Sequence, residues 1–540
     1  MATYVSSHIL HYTEEGVYYM EHPQSIQLVE LDGKHLTLES FVAVARYGAK
    51  VALTDAAKAA MAKSRALADK ISAEHRVAYG ITTGFGDFAT VAVPEEMSAQ
   101  LSTNLILSHA VGTGDPYEIE EVRGMMLLRA NALCVGISGV RPILVTMLCE
   151  MLNKGVTPVV PQKGSLGASG DLAPLSHMGL VMLGKGKAIY QGVEYEGAEA
   201  MRLAGIPALD TLVSKEGLGI TNGTCAMTSV GALHFYDTYA AAEMADIIAS
   251  LTFTALGGQL DAFQERMHTA RGHRGQIRVA KNIRLLTEGS EILNNSQRAR
   301  VQDAYALRCI PQVHGAIRDA LEYVREKVCI ELNAVTDNPL LFTEDEAVIS
   351  GGNFHGEPMA LPFDFLGIAC SELASISERR IERMVNAALS NGLTPFLTTK
   401  AGVNSGYMIV QYTAASMASE NKVFSHPACV DTIPSSANQE DFVSMGTTAA
   451  RKAGLILENT RSVLAYELLT ACQAIDIRRM VGPWGEGLSP ADKAVYDAVR
   501  QVVPFMAEDR EIRLDIAQVE KMVRSEDLLK AVKEIVPDFE

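Results

Sequence analysis

Ala168-Ser169-Gly170, set in GSLGASGDLAPL, can build a reactive group that no natural side chain provides. If the amide nitrogen of Gly170 attacks the carbonyl of Ala168, a five-membered ring closes and water leaves. Dehydration of Ser169 then leaves an exocyclic methylene, and the product, a methylidene-imidazolone, is a Michael acceptor. Glycine at the third position lets the backbone bend this tightly, because no Cβ stands in the way. The wider segment PVVPQKGSLGASGDLAPLSH is dense in Gly, Pro and Ser and reads as a loop. Rival chemistries fit less well. A nucleophile elbow needs Gly-x-Ser-x-Gly, and Asp171 stands where the second glycine should be. No Gly-Lys-Ser or Gly-Lys-Thr follows a glycine-rich loop, and Gly184-Lys185-Gly186 lacks the third glycine of a dinucleotide fingerprint. Taken alone, the segment reads more readily as a plain flexible loop.

Such a loop needs rigid elements around it, and the sequence offers helices. Residues 1–75 read as a polar and amphipathic lead-in with a helical stretch near Asp55–Ala73. From Tyr79 to Asp115 the chain is rich in Gly and Thr, and GITTGFGDF reads as a loop. Apolar residues recur at helical spacing from Val122 to Leu152, broken at Gly136–Gly139, and GKGKAIYQGVEYEG predicts a small hairpin. Beyond Asn222 long helical patterns take over. Val313, Ile317, Leu321, Val324 and Val328 fall on one face, and similar stripes run through Phe365–Met384, Ala414–Val423 and Ala450–Leu469. Helices of roughly 20–30 residues would be about 30–45 Å long, which suits a long bundle. The expected fold is all-α, in three parts: 1–221 with the reactive loop, 222–480 as the bundle, and 481–540 as a C-terminal helical segment.

Composition narrows the partners. Of 540 residues, 48% are apolar and 21% charged, so a large core is affordable. A net charge of −17 argues against nucleic acid or an anionic membrane as the main partner. Low aromatic content, with the single Trp484, favours helix over sheet. The eight cysteines form no Cys-x-x-Cys pair and read as small buried apolar residues in a reducing compartment. The start, MATYVSSHILHYTEEG, has no charged region followed by an apolar core, so no signal peptide is expected. No uninterrupted apolar run of about 18 residues suggests a membrane span. The expected location is the cytoplasm, and no metal site is expected.

GSLGASGDLAPLSH is similar to the signature of the aromatic amino-acid ammonia-lyase and aminomutase family. YGITTGFG, SHAVGTG, NGT, QDAYALRCIPQ, DNPL, GGNFHGEP, GVNSGYMI and SANQED also resemble its blocks, in the family's order, from about Tyr79 to Cys472. Eight ordered blocks make a specific resemblance. The N-terminal stretch and the tail after Trp484 match less closely. The resemblance implies a helical bundle related to fumarase and aspartase, with the electrophile at the N-terminal ends of several helices. Those positive ends favour developing negative charge. It also implies a homotetramer whose sites are each assembled from three subunits, and a methylidene-imidazolone formed without any external cofactor.

The resemblance further assigns roles. Tyr79 is the base for the β-proton, and since a free tyrosine has a pKa of about 10, helix ends or a nearby cation must hold it partly as phenolate. Arg308 suits a carboxylate clamp, because guanidinium binds carboxylate through two parallel bonds. Tyr305, placed with the catalytic groups, and Gln302 precede it at three-residue steps, on the same helical side. Asn222 is similar to the asparagine beside the electrophile and substrate amine, and Phe354 to the ring that covers the site. His109, Met408 and Glu440 bear on substrate choice. The related phenylalanine and tyrosine enzymes resemble one another in carrying Gln where this chain has Glu440, and a carboxylate suits an imidazole. The implied reaction is non-oxidative deamination of L-histidine to urocanate and ammonia. The alternatives are a tyrosine or phenylalanine 2,3-aminomutase, another aromatic ammonia-lyase, or a catalytically silent structural protein. Plainer readings of the same residues are a packed tyrosine, a solvated polar face, a core His or Met, and a Glu440 paired with Arg or Lys.

Overall fold

The apolar stripes beyond Asn222 become long helices: Cys225–Ala255, Ile310–Glu331, Glu357–Val385, Met408–Phe424 and Gly446–Val481. The computed structural model describes residues 22–297 and 300–540; the MATYVSSHILHYTEEG start, with its expected lack of a signal peptide, lies outside the described residues. The 36-residue helix Gly446–Val481 extends about 54 Å at 1.5 Å per residue. Ile317, Leu321, Val324 and Val328 are buried as their spacing predicts, and Val313 packs at the core's edge. Cys225–Ala255 is buried along most of its length, the mark of a central helix. Glu357–Val385 is long and apolar enough to cross a membrane but lies mostly buried in the bundle.

Where four of these helices meet, charges pair in the interior. Asp246 meets His314 Nδ1 at 2.7 Å and Arg318 Nη2 at 3.1 Å, while Arg380 holds Glu467 through bonds of 2.5 and 2.8 Å. None of the five side chains is more than 1% exposed. Each carboxylate faces a cation, because an unpaired charge at this depth would be strongly destabilising.

The N-terminal part matches some expectations and corrects one. Asp55–Ala73 is a helix, with the Thr54 hydroxyl accepting from Ala57 N at its start. The glycine break separates helices Ile119–Cys134 and Pro142–Lys154. The expected hairpin forms from Lys187–Tyr190 and Val193–Glu196, and Val156–Pro158 adds a third antiparallel strand. The described part of residues 1–75, however, is not a lead-in. Leu28–Leu31 and Lys50–Leu53 pair in parallel, and the helix Leu38–Ala45 between them buries Phe41 and Val42 completely. Four-residue strands are too short to show a period in the sequence, so this layer was hidden. Helix Glu216–Thr221 ends at one expected part boundary and Gly446–Val481 at the other, and one continuous core runs past both, from Val29 to Phe539. All eight cysteines are free, and six are buried.

Candidate active site

The loop that carries Ala168-Ser169-Gly170 runs from strand Pro161–Lys163 to helix Leu172–Met182. Gly170 has φ +75°, and a Cβ there would lie 2.3 Å from Gly223 O, so only glycine fits. Asp171 N donates to Gly223 O at 2.8 Å. Asn222 Nδ2 donates to Ser169 O at 2.8 Å, and Ser169 Oγ donates to Glu440 Oε1 at 2.9 Å. Further back, Gly167 O accepts from Gly356 N and Ser444 Oγ, and Leu166 O from Met445 N. The N-terminal ends of Leu172–Met182, Cys225–Ala255, Glu357–Val385 and Gly446–Val481 therefore converge on the loop, each with its partial positive charge. A ring derived from residues 168–170 fits this setting: the third residue is a left-handed glycine, and the carbonyl of residue 169 is already held by an amide.

Asp171 is the member that sequence reasoning missed. Its carboxylate is fully buried and accepts from Ala226 N, Met227 N, Ser165 Oγ and Thr447 Oγ1 at 2.5–2.8 Å. Burial pushes this carboxyl up, and the four donors pull it back. In the sequence it served only to exclude a nucleophile elbow. Its position before a helix carries an N-cap signal, yet it makes no cap bond to its own helix and instead staples the first turns of two others.

Tyr79 is positioned from below. Its neighbours Ala78 and Ile81 belong to a small separate cluster with Leu67, Ala68, Ile71 and Leu341. The phenol oxygen accepts from Gly86 N at 3.2 Å, and the ring meets Phe85 edge-on. Burial pushes the phenol up, the Gly86 amide works the other way, and the charge of Glu440 adds to the rise. The lowered phenol expected from the sequence is thus not what this chain alone provides. His109 ends helix Ser98–His109; burial pulls its imidazolium down against opposing effects of the Leu105 carbonyl and Glu440.

Glu440 reaches the loop through a strained turn. Ser435 and Glu440 exchange backbone bonds of 2.8 and 3.2 Å, while Ser436, Ala437 and Asn438 take φ of 50°, 54° and 68°. Left-handed non-glycine residues cost on the order of 1–3 kcal/mol each and persist only where the surroundings hold them. Phe354 is half-buried in the SGGNFHGEP loop, which is tied to the electrophile loop through Gly356 N and to Phe442 through His355.

Gln302, Tyr305 and Arg308 form a second group. Only Tyr305–Arg308 is helical, and Gln302 precedes it outside the helix, so the continuous helical face expected from their spacing is absent. The three meet nonetheless: Arg308 Nη1 donates to Gln302 Oε1 at 2.5 Å, and the guanidinium lies 4.7 Å from the Tyr305 ring centre. Arg308 Nε is buried without a partner, and Tyr305 is 70% exposed. Met408 opens helix Met408–Phe424, just after Ser405 and Gly406, whose amides donate to Asp509. Among the described residues, no hydrogen bond, ion pair or ring contact joins Gln302, Tyr305, Arg308 or Met408 to the electrophile loop. Within one chain Ser169 is joined by hydrogen bonds to Asn222 and Glu440, and the charge of Glu440 acts on both Tyr79 and His109. Among the described residues, no cluster of His, Cys, Asp and Glu could hold a metal.

The sequence pattern of the aromatic amino acid lyases matches residues 36–501. A histidine ammonia-lyase of Caldanaerobacter subterraneus subsp. tengcongensis is 54% identical over 506 residues, covering 94% of this chain and 98% of that protein. Among solved structures, histidine ammonia-lyase from Trypanosoma cruzi is similar with a TM-score of 0.87 at 40% identity, over 94% of this chain and 96% of its own. Tyrosine aminomutase from Streptomyces globisporus is similar with a TM-score of 0.89 at 38% identity, over 94% and 98% of the two chains.

Proposed function

The chain belongs to the aromatic amino acid lyase family and is a carbon–nitrogen lyase, and on that premise we propose that it converts L-histidine to urocanate and ammonia. Its electrophile is a methylidene-imidazolone made from Ala168, Ser169 and Gly170, with no external cofactor. The observation that carries the histidine reading is the Glu440 carboxylate, 2.9 Å from Ser169 Oγ. Beside an apolar ring such a charge is unpaired and costly. Beside an imidazole it accepts a charge-assisted hydrogen bond. The histidine ammonia-lyase relative supports the same reading.

Once formed, the ring supplies an electrophilic carbon for the substrate amine, a form of covalent catalysis. The rest falls to side chains. Dehydration of Ser169 removes the hydroxyl that Glu440 accepts, which frees this carboxylate oxygen for the substrate's imidazole N–H. Asn222 Nδ2 holds the carbonyl of residue 169. Tyr79 takes the β-proton at its phenolate oxygen. Arg308, with Gln302 and Tyr305 beside it, clamps the substrate carboxylate; Phe354 covers the site and Met408 packs on the imidazole. Among the described residues the clamp is not joined to the electrophile loop within one chain, which supports a homotetramer with shared sites. A guanidinium brought into the site in this way would also draw the Tyr79 phenol down. A cytoplasmic location is part of the same proposal, and the net charge of −17 argues against nucleic acid or an anionic membrane as partner.

The likeness to a tyrosine aminomutase favours a second reading, in which the amine returns to the β-carbon. Incubation with L-histidine, L-tyrosine and L-phenylalanine separately, followed by NMR, decides between them. Urocanate from histidine is expected, without β-amino acid; β-tyrosine as the main product would establish the second reading and discard the first. Arg308→Lys keeps the charge and loses the two-pronged fork. We expect kcat/KM for histidine to fall by about 2–4 kcal/mol, roughly 30- to 1,000-fold. Unaltered steady-state kinetics would move the clamp to another residue.

A further inference from the structure

Helix Ile119–Cys134 carries a cation to the back of the electrophile loop. Arg129 is completely buried, yet among the described residues it makes a single hydrogen bond, from Nη1 to Asn222 O at 2.8 Å. Its Nε and Nη2 are buried without partners. Among the described residues no carboxylate pairs with it. Asp337 is bound to Lys215 at 2.7 Å, Glu331 accepts from Thr224 Oγ1 at 2.5 Å, and Asp171 is taken up by two amides and two hydroxyls. A guanidinium is a delocalised cation with five hydrogen-bond donors. Holding one here uncompensated is strongly unfavourable, so its persistence calls for a physical reason.

Packing supplies one. A Cβ on Gly223 would lie 2.3 Å from Arg129 Nη1 and 2.7 Å from Thr336 O, and a Cβ on Gly170 would lie 2.3 Å from Gly223 O. Guanidinium, the 222–223 peptide and Gly170 are therefore stacked in direct succession, with no side chain between them. Asn222 spans the same stack: its carbonyl accepts from Arg129, and its amide donates to Ser169 O.

We propose that Arg129 is a positioning residue for ring closure at residues 168–170. It fixes the Asn222–Gly223 peptide against Gly170, and its charge favours the negative charge that develops as the Ala168 carbonyl is attacked. The proposal rests on the reading of 168–170 as the ring-forming tripeptide. In that step the Gly170 nitrogen bonds to the Ala168 carbonyl carbon. The carbonyl oxygen leaves as water with one hydrogen each from the Gly170 and Ser169 amides. A second water takes the Ser169 hydroxyl and the hydrogen on its Cα, leaving the methylene. Nothing is oxidised or reduced overall, and no co-reactant is needed.

The test reads intact mass on the full chain, with circular dichroism to report the fold. Wild-type protein is expected to be two waters lighter than its sequence; if it is not, the reading of 168–170 fails independently of Arg129. Given a dehydrated wild type, Arg129→Gln keeps a donor for Asn222 O and removes the charge. We expect native helical content with one or both waters retained in most chains. Arg129→Lys restores a charge and is expected to restore the two-water loss. A fully dehydrated, folded R129Q chain overturns the proposal, as does a folded R129K chain that keeps its waters. If only R129K folds, its mass decides in the same way. If neither variant folds, Arg129 is a folding residue and the proposal is wrong.

Discussion

Ser169→Ala is expected to abolish histidine turnover, by on the order of 10⁴–10⁶-fold, as when the group that carries covalent catalysis is removed. Alanine keeps the backbone needed for ring closure but has no hydroxyl to lose, so the methylene cannot form. The fold should survive, because the Ser169 side chain contributes one hydrogen bond, to Glu440 Oε1, and the loop is held by backbone groups of Gly223, Gly356 and Met445. Circular dichroism should therefore match wild type. Intact mass should show at most one water missing from the variant. A Ser169→Ala protein that still makes urocanate at the wild-type rate would remove residues 168–170 from the chemistry.

Glu440→Gln is expected to lower histidine turnover by about 10²- to 10⁴-fold, the range for loss of a positioned acid–base group. An amide neither balances an imidazolium nor accepts its proton. The turn itself should persist, since Ser435 and Glu440 are joined by backbone bonds. Activity toward phenylalanine or tyrosine should be unharmed or higher, because a charge facing an apolar ring is relieved. A second signature follows from through-space charge. Glu440 raises the Tyr79 phenol; removing the negative charge lets the phenolate form more easily. The limb of the pH–rate profile that rises with base formation should therefore move to lower pH. Should wild-type protein prefer tyrosine or phenylalanine to histidine, the histidine assignment is wrong, while the lyase fold stands.

Much of the bundle was legible in the sequence. Ile317, Leu321, Val324 and Val328 repeat at three- and four-residue steps, and such a stripe survives in a single sequence because one helix face meets the core along its whole length. The hairpin around Tyr190 and Val193 was legible from its turn residues. The parallel strands Leu28–Leu31 and Lys50–Leu53 were not, being only four residues each. Gln302 looked helical from its spacing to Tyr305 and Arg308, yet the helix begins at Tyr305, and a side-chain bond gathers the group instead.

The electrophile lay open in the sequence because its chemistry is local. Ring closure and dehydration involve three consecutive residues, and the need for glycine at the third follows from backbone geometry alone. The environment of that ring was decided by the tertiary structure. Glu440 stands 271 residues from Ser169 along the chain but 2.9 Å away in space. Asp171 and Arg129 are an ordinary acid and an ordinary base until the fold buries them, one saturated with donors and the other nearly without partners. Within one chain, burial and a carboxylate far along the sequence set the direction of the Tyr79 shift, and neither is written near YGITTGFG. Bond-forming capacity depends on neighbours in sequence, whereas desolvation and Coulomb interactions depend on neighbours in space.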